Sequence, residues 1–171
     1  MKFCVTGRRS ICVEDIPIIT GKMTSVVSRA TVVMFGGARG VDYEALKAAS
    51  NEKLKLIMSG HDQLPKLVLV CPNRLDQVWK SKEQKRMVDE VIELGNPITS
   101  SNFYRSFYQR NEYMVDNTDV CVMFWDYQRK GGTYQCGKYA SEQHTRKYGN
   151  SATRPVGVEV VKLWVSERGL K

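Results

Sequence analysis

The sequence contains no long apolar run. No segment approaches the ~20 consecutive apolar residues that a membrane-spanning helix requires. The stretch before Arg8 is too short to be the hydrophobic core of a signal peptide. We therefore expect a cytoplasmic protein with no membrane partner. With 171 residues, of which 42% are hydrophobic and 26% charged, the chain has the size and composition of one soluble globular domain, and we expect residues 1–171 to form it.

The sequence also lacks the signatures of disulfide frameworks and metal sites. Its five cysteines include no CxxC pair, so we expect thiols in a reducing compartment. His61 and His144 are far apart, and neither is spaced with cysteine or aspartate as a zinc ligand would be. No GxGxxG fingerprint, P-loop or GxSxG elbow is present. The sequence thus predicts no metal and no cofactor.

Positive charge is in excess. The net charge of +8 favours anionic partners such as nucleotides, nucleic acid or a phosphorylated metabolite. Because lysine and arginine are spread along the chain, a solvated basic surface explains the charge equally well. A nucleotide-like small molecule is the expected partner, and nucleic acid is the alternative.

Apolar strand-like segments alternate with glycine or polar loops and amphipathic helices. This order predicts an α/β fold of Rossmann-like type, with an open parallel sheet and helices on both faces. The predicted strands are Lys2–Thr6, Thr31–Phe35, Leu67–Cys71, Val120–Trp125 and Val156–Val165. The predicted helices are Lys22–Arg29, Tyr43–Ala49, Val78–Leu94, Phe103–Asp116 and Gly131–Tyr148. The patterns of two segments, Ser10–Thr20 and Lys53–Met58, favour neither a strand nor a helix.

A glycine-rich segment, Gly36 to Gly40, follows the second predicted strand and precedes a helix. Its glycines let a ligand approach the backbone, and the start of a helix attracts anions. Asp42 is predicted to cap that helix. Since ligands of open parallel sheets bind beyond the carboxyl ends of the strands, this segment predicts a phosphate-binding turn at that edge.

Three further segments are predicted to reach the same edge. Gly131–Thr133 follow a fully apolar strand, and the Thr133 hydroxyl can cap a helix or donate to a phosphate. Arg110–Asn111 offer a bidentate cation and an amide. Arg8–Arg9 leave the first strand, and the sequence does not decide which of the two faces the ligand. The predicted site comprises Gly7, Arg8, Arg9, Gly36, Gly37, Ala38, Arg39, Gly40, Asp42, Arg110, Asn111, Gly131, Gly132 and Thr133.

Aromatic residues recur on the helix before the fourth predicted strand. Phe103, Tyr104, Phe107 and Tyr108 have helical spacing, which favours a core-facing stripe with tyrosine hydroxyls at its rim over a base-stacking surface.

These segments resemble the SLOG superfamily, a Rossmann-like group named for the DNA-processing protein Smf/DprA and the LOG cytokinin-activating phosphoribohydrolases. Gly36–Asp42 is close to the GGARGID segment of the DprA branch, and Arg110–Asp119 resembles the RNxxMvdxsD segment of small members. Gly7–Arg9 and Gly131–Thr133 match more generic turns of the family. The resemblance spans about residues 2–145 and implies a nucleotide-type ligand in the crevice of a parallel sheet.

The resemblance implies three candidate functions. The first is a binding module that senses or sequesters a nucleotide-derived ligand. The second is LOG-type cleavage of the N-glycosidic bond of a nucleoside monophosphate. Its catalytic glutamate corresponds here to Cys136, so activity would need Asp42, Asp119 or Asp126 as the carboxylate, and we do not expect an enzyme. The third is DprA-like binding of single-stranded DNA. A homo-oligomer is a further expectation, because such domains often associate through helix faces.

Overall fold

Strands and helices alternate along the chain. The computed structural model describes residues 1–97, 99–148 and 157–163. The strands are β1 (Lys2–Gly7), β2 (Val32–Phe35), β3 (Lys66–Cys71), β4 (Glu90–Glu93), β5 (Val120–Trp125) and β6 (Val158–Lys162). The helices are α1 (Asp15–Arg29), α2 (Val41–Met58), α3 (Ser81–Met87), α4 (Phe103–Asp116) and α5 (Gly131–Tyr148), with a 3₁₀ helix at Leu75–Gln77.

The strands form one parallel sheet in the order β4-β3-β2-β1-β5-β6. The chain winds outward from β1 to β4 and then returns to place β5 on the other side of β1. The winding direction therefore reverses between β1 and β5, which opens a crevice beyond their carboxyl ends. The predicted Rossmann-like parallel sheet is confirmed.

Helices cover both faces of this sheet. On β1, Phe3 and Val5 point into one core with α1 and α2, whereas Cys4 points into the other with α4 and α5. The helix that follows β1, α1, and the helix that follows β5, α5, therefore lie on opposite faces of the sheet. The reversal of winding direction between β1 and β5 requires this arrangement. None of the helices within the described ranges is long and apolar enough to cross a bilayer.

The prediction of one helix over Val78–Leu94 is wrong. The helix α3 ends at Met87, and β4 then pairs with β3, with Val68 opposite Glu90 and Val70 opposite Ile92. Apolar residues at helical spacing also fit a short strand, and the open hydrogen-bonding edge of β3 decides between the two. The sheet thereby gains an edge strand that local periodicity did not indicate.

Two helices are longer than their patterns predict. The α1 helix begins at Asp15 and takes Pro17 into its first turn, where the missing N–H leaves no hydrogen bond unmade. The α2 helix runs on through Met58. The last strand is shorter than the predicted Val156–Val165, since β6 runs from Val158 to Lys162 and neither Gly157 nor Leu163 belongs to it. The predicted strand residues 156, 164 and 165 lie outside the described residues.

Candidate ligand-binding site

A cleft of about 350 Å³ opens beyond the carboxyl ends of β1 and β5. Both glycine turns reach it, one from the start of α2 and the other from the start of α5. Helix α4 forms a further wall. The cleft is lined by ten of the fourteen predicted site residues, namely Gly7, Arg8, Arg9, Ala38, Asp42, Arg110, Asn111, Gly131, Gly132 and Thr133. The fold therefore brings together segments that are far apart in sequence.

The other four predicted residues lie close by. Gly36, Gly37 and Arg39 line a neighbouring pocket on the β2–β3 side. Gly40 lines neither cavity and packs against the backbone after β1, where a Cβ would lie 2.3 Å from the Arg9 carbonyl oxygen. Its φ of +82° also favours glycine. Gly40 thus allows close contact between the turns after β1 and β2.

Arg110 is a buried cation at the base of the cleft. Its Nη1 donates to the Gly36 carbonyl oxygen at 2.6 Å, and Nε and Nη2 donate to Asn111 Oδ1 at 3.3 and 3.1 Å. Its guanidinium also lies 5.3 Å from the centre of the Phe107 ring. Burial lowers the pKa of Arg110, while the charge of Asp42 acts to raise it. The side chain is therefore held in one orientation beside the glycine turn.

The predicted capping role of Asp42 is wrong. The α2 helix begins at Val41, Gly40 occupies the capping position, and Asp42 lies inside the helix. Asp42 Oδ2 instead accepts a 3.3 Å hydrogen bond from the Ala38 N–H. Burial raises the pKa of Asp42 to about 6, against the opposing effects of Arg110 and the Ala38 amide. A carboxylate of the chain itself thus occupies part of the anion-attracting turn.

The two arginines after β1 have different roles. Arg8 forms an ion pair with Asp126, with 2.9 Å between Nη1 and Oδ2, which joins the ends of β1 and β5. The Arg9 guanidinium lies 5.0 Å from the centre of the Phe107 ring and has no ion-pair partner among the described residues. Arg9 is exposed and lines the cleft, so it is the arginine whose charge is available to a ligand.

The aromatic residues of α4 do not form the predicted core stripe. Phe103 and Tyr104 are 39% and 71% exposed, and Tyr104, Phe107 and Tyr108 line the cleft. Sequence reasoning missed them as site residues, although Tyr104, Phe107 and Tyr108 share the helical face of Asn111 through i, i+3, i+4 and i+7 spacing. That spacing was the available signal.

The acidic candidates separate into two groups. Asp126 and Asp42 line the cleft. Asp119 directly precedes β5, at the amino-terminal ends of the strands, and accepts a 2.8 Å hydrogen bond from the Lys2 N–H.

Cys136 is fully buried, with its Sγ 4.0 Å from Cys121 Sγ, so the position that resembles the LOG glutamate faces the core. In the part of the chain that the structure describes, no three His, Cys, Asp or Glu side chains are grouped to hold a metal ion.

Comparison with known proteins supports this architecture. A family model described as the YspA SLOG family matches residues 18–154, and no curated protein matches the chain. DNA processing protein A from Helicobacter pylori is similar in structure, with 17% identity and a TM-score of 0.56 over 92% of this chain and 69% of that chain. The molybdenum cofactor binding protein from Rippkaea orientalis has 15% identity and a TM-score of 0.58, and the match covers 99% of this chain and 80% of that chain. The molybdenum cofactor carrier protein from Chlamydomonas reinhardtii has 15% identity and a TM-score of 0.50, and the match covers 98% of this chain and 80% of that chain.

Proposed function

Since this chain belongs to the YspA SLOG family, we propose that it binds a nucleotide or nucleotide-derived phosphorylated ligand, as a sensor or sequestering module. The observation that carries the proposal is the convergence of Arg9, Arg110 and the Gly131–Thr133 helix start on one cleft. Guanidinium groups and the first N–H groups of a helix both donate hydrogen bonds to phosphate oxygens.

The start of α5 is open enough for a ligand to approach its backbone. Gly131 has φ of +86°, and no heavy atom lies within 4 Å of where its Cβ would be. Thr133 and Lys130 also line the cleft, and Lys130 directly precedes Gly131, so a hydroxyl donor and a further cation accompany these amides. We place a phosphate at this helix start, in the cleft that Arg9 also lines.

Thermal-shift measurements test the proposal. The screen includes nucleoside monophosphates, ADP-ribose and cyclic nucleotides, together with single-stranded DNA and molybdenum cofactor because the structural relatives are named for them. A ligand at 100 times its Kd stabilises the folded protein by about 2.7 kcal/mol. Arg9→Ala should weaken binding, whereas Arg86→Ala, which removes an exposed arginine of α3 outside the cleft, should leave it unchanged. The proposal fails if no nucleotide in the screen shifts the melting temperature, and a shift with single-stranded DNA or molybdenum cofactor alone would assign the cleft to that ligand instead.

A second candidate is N-glycosidic cleavage of a nucleotide. It is favoured by Asp42, a cleft carboxyl whose raised pKa of about 6 suits proton transfer near neutral pH. Incubation with nucleoside monophosphates should then release free base, and Asp42→Asn should abolish the release. An intact nucleotide after prolonged incubation would exclude this activity for the substrate tested.

Binding of single-stranded DNA is the third candidate. The exposed ring of Tyr104 lines the same cleft as Arg9 and could stack on a base while the arginine contacts the backbone. Such binding should weaken steeply with added salt, because counterions are released from the phosphates. A salt-independent affinity would contradict it.

A further inference from the structure

A second pocket, of about 250 Å³, adjoins the main cleft on the β2–β3 side. The two cavities share Arg9, Ala38, Phe107 and Arg110 as lining residues. Small-molecule sites commonly have volumes of roughly 300–1,000 Å³, so the main cleft is sufficient for a compact ligand by itself. The adjoining pocket is additional space that a longer ligand could enter past the two shared arginines.

The charge of this second pocket is entirely positive. Its lining includes Arg9, Arg39, Arg74 and Arg110 and no acidic residue. Arg74 is paired with Asp76 at 3.3 Å, but Arg39 is exposed and has no ion-pair partner in the described ranges. Four guanidinium groups around so small a volume favour a ligand that carries more than one negative charge.

The outer wall of the pocket is aromatic and apolar. Trp79 is 42% exposed and lines the pocket beside Val78 and Pro72. Its ring makes a T-shaped contact with Tyr43, with 5.0 Å between centroids and 87° between planes. The Lys80 ammonium also lies 4.8 Å from the centre of the indole, and the part of the ring that these two contacts leave exposed is a surface on which a planar heterocycle can stack.

A buried amide fixes this wall to the glycine turn. Gln84 is fully buried, and its Nε2 donates to the carbonyl oxygens of Gly37 at 2.9 Å and Trp79 at 2.7 Å. The two walls of the pocket are thereby joined through one side chain. The pocket is consequently preformed, which reduces the ordering that a ligand must otherwise impose.

We propose that the ligand has two ends joined by at least two phosphates. One end occupies the main cleft with its phosphate at the start of α5, and the next phosphate lies beside Arg9 and Arg110, which line both cavities. The ring of the other end stacks on Trp79. This inference rests on the proposed function and extends it, since it selects a dinucleotide-sized ligand over a nucleoside monophosphate.

Calorimetric titration of three adenine probes tests this inference. AMP supplies one ring and one phosphate, ADP adds a phosphate without a second ring, and diadenosine pyrophosphate supplies two rings and two phosphates. The wild-type protein should bind diadenosine pyrophosphate at least about tenfold more tightly than ADP, a ratio within the range that stacking of one base contributes.

Trp79→Ala should remove most of that advantage and leave the Kd of AMP unchanged. Tyr127→Ala is the matched control, because Tyr127 is equally exposed at 42% and lines neither cavity. Arg39→Ala provides a second variant that removes an exposed side chain, so its folding should be unaffected, and it should selectively weaken the two-phosphate probes.

The outcomes separate the two proposals. If the wild type binds AMP but shows no preference for diadenosine pyrophosphate over ADP, or if Trp79→Ala preserves that preference, the two-ended ligand is wrong and the proposed function stands. The same conclusion follows if Arg39→Ala weakens AMP as much as it weakens the two-phosphate probes. If none of the three probes binds while a nucleoside monophosphate or diphosphate of another base does, the two-ended ligand is also wrong. If no nucleotide of any kind binds, both proposals fail.

Discussion

The guanidinium of Arg110 donates a 2.6 Å hydrogen bond to the carbonyl oxygen of Gly36. This bond joins α4 to the turn after β2 and so connects two walls of the cleft. A Cβ at position 36 would lie 2.8 Å from Arg110 Cζ and 2.9 Å from Asp42 Oδ2. The close approach of the two side chains to this turn therefore depends on glycine.

Gly36→Ala should destabilise the protein by about 1–3 kcal/mol, because the added methyl group forces Arg110 or Asp42 to move. Chemical denaturation measures the change. Gly21→Ala is the control, since nothing lies within 4 Å of its Cβ position in α1. There, alanine should increase stability by roughly 0.5–1 kcal/mol. Equal stabilities for Gly36→Ala and wild type would contradict the packing argument.

Asp42 should make ligand affinity depend on pH. Burial raises its pKa to about 6, so at pH 7 it is ionised and partly offsets Arg110 and Arg9, whereas at pH 5 it is protonated. Binding of diadenosine pyrophosphate, whose own charge is constant in this range, should strengthen by about three- to tenfold from pH 7 to pH 5. Asp42→Asn should flatten the profile measured by calorimetry. A profile that keeps its slope in this variant would assign the effect to another group.

Glu159 should contribute stability that acid removes. Hydrogen bonds from Arg29, at 2.9 and 3.1 Å, and from Lys22 lower its pKa to about 2. A lowered carboxyl pKa stabilises the folded state above the ordinary value near 4.5, and this contribution is lost as the pH falls towards 2. Glu159→Gln should therefore cost about 1–2 kcal/mol at pH 7 and progressively less below pH 4.5. Urea denaturation at pH 7, 4.5 and 3 measures the difference in unfolding free energy between wild type and Glu159→Gln. A difference that stays constant over these three pH values would contradict the prediction.

The Arg8–Asp126 pair should stabilise the junction between β1 and β5. Its side chains are 29% and 14% exposed, so solvent screens the interaction only in part. A double-mutant cycle with Arg8→Ala and Asp126→Ala should give a coupling free energy of about 0.5–1 kcal/mol. The Arg74–Asp76 pair, with exposures of 69% and 65%, is the matched control and should give a coupling near zero. Similar couplings in both cycles would show that burial adds nothing here.

Sequence patterns predicted the central elements well and the margins poorly. Val120–Trp125 is apolar throughout because it is buried on both faces, and its predicted bounds match β5. Val88, Val91 and Ile92 have spacing that fits a helix, yet the last two lie in β4. Pairing with β3 supplies hydrogen bonds that no local pattern records, so edge strands are where such predictions fail.

The sequence by itself determined where the strands and the glycine turns lie along the chain. Alternating burial and the conformational freedom of glycine act over a few residues, so both can be recognised locally. Which groups meet in the cleft was decided only by the tertiary structure. Arg8 pairs with Asp126, while Arg9 packs against Phe107 and remains available to a ligand. Asp42 turns back to Ala38, and Trp79 is tied to Gly37 through Gln84. The Asp42–Ala38 contact spans only four residues. The contacts of Arg8 with Asp126, of Arg9 with Phe107 and of Gln84 with Gly37 join segments that are far apart in sequence, so they depend on distances that arise only when the sheet is assembled.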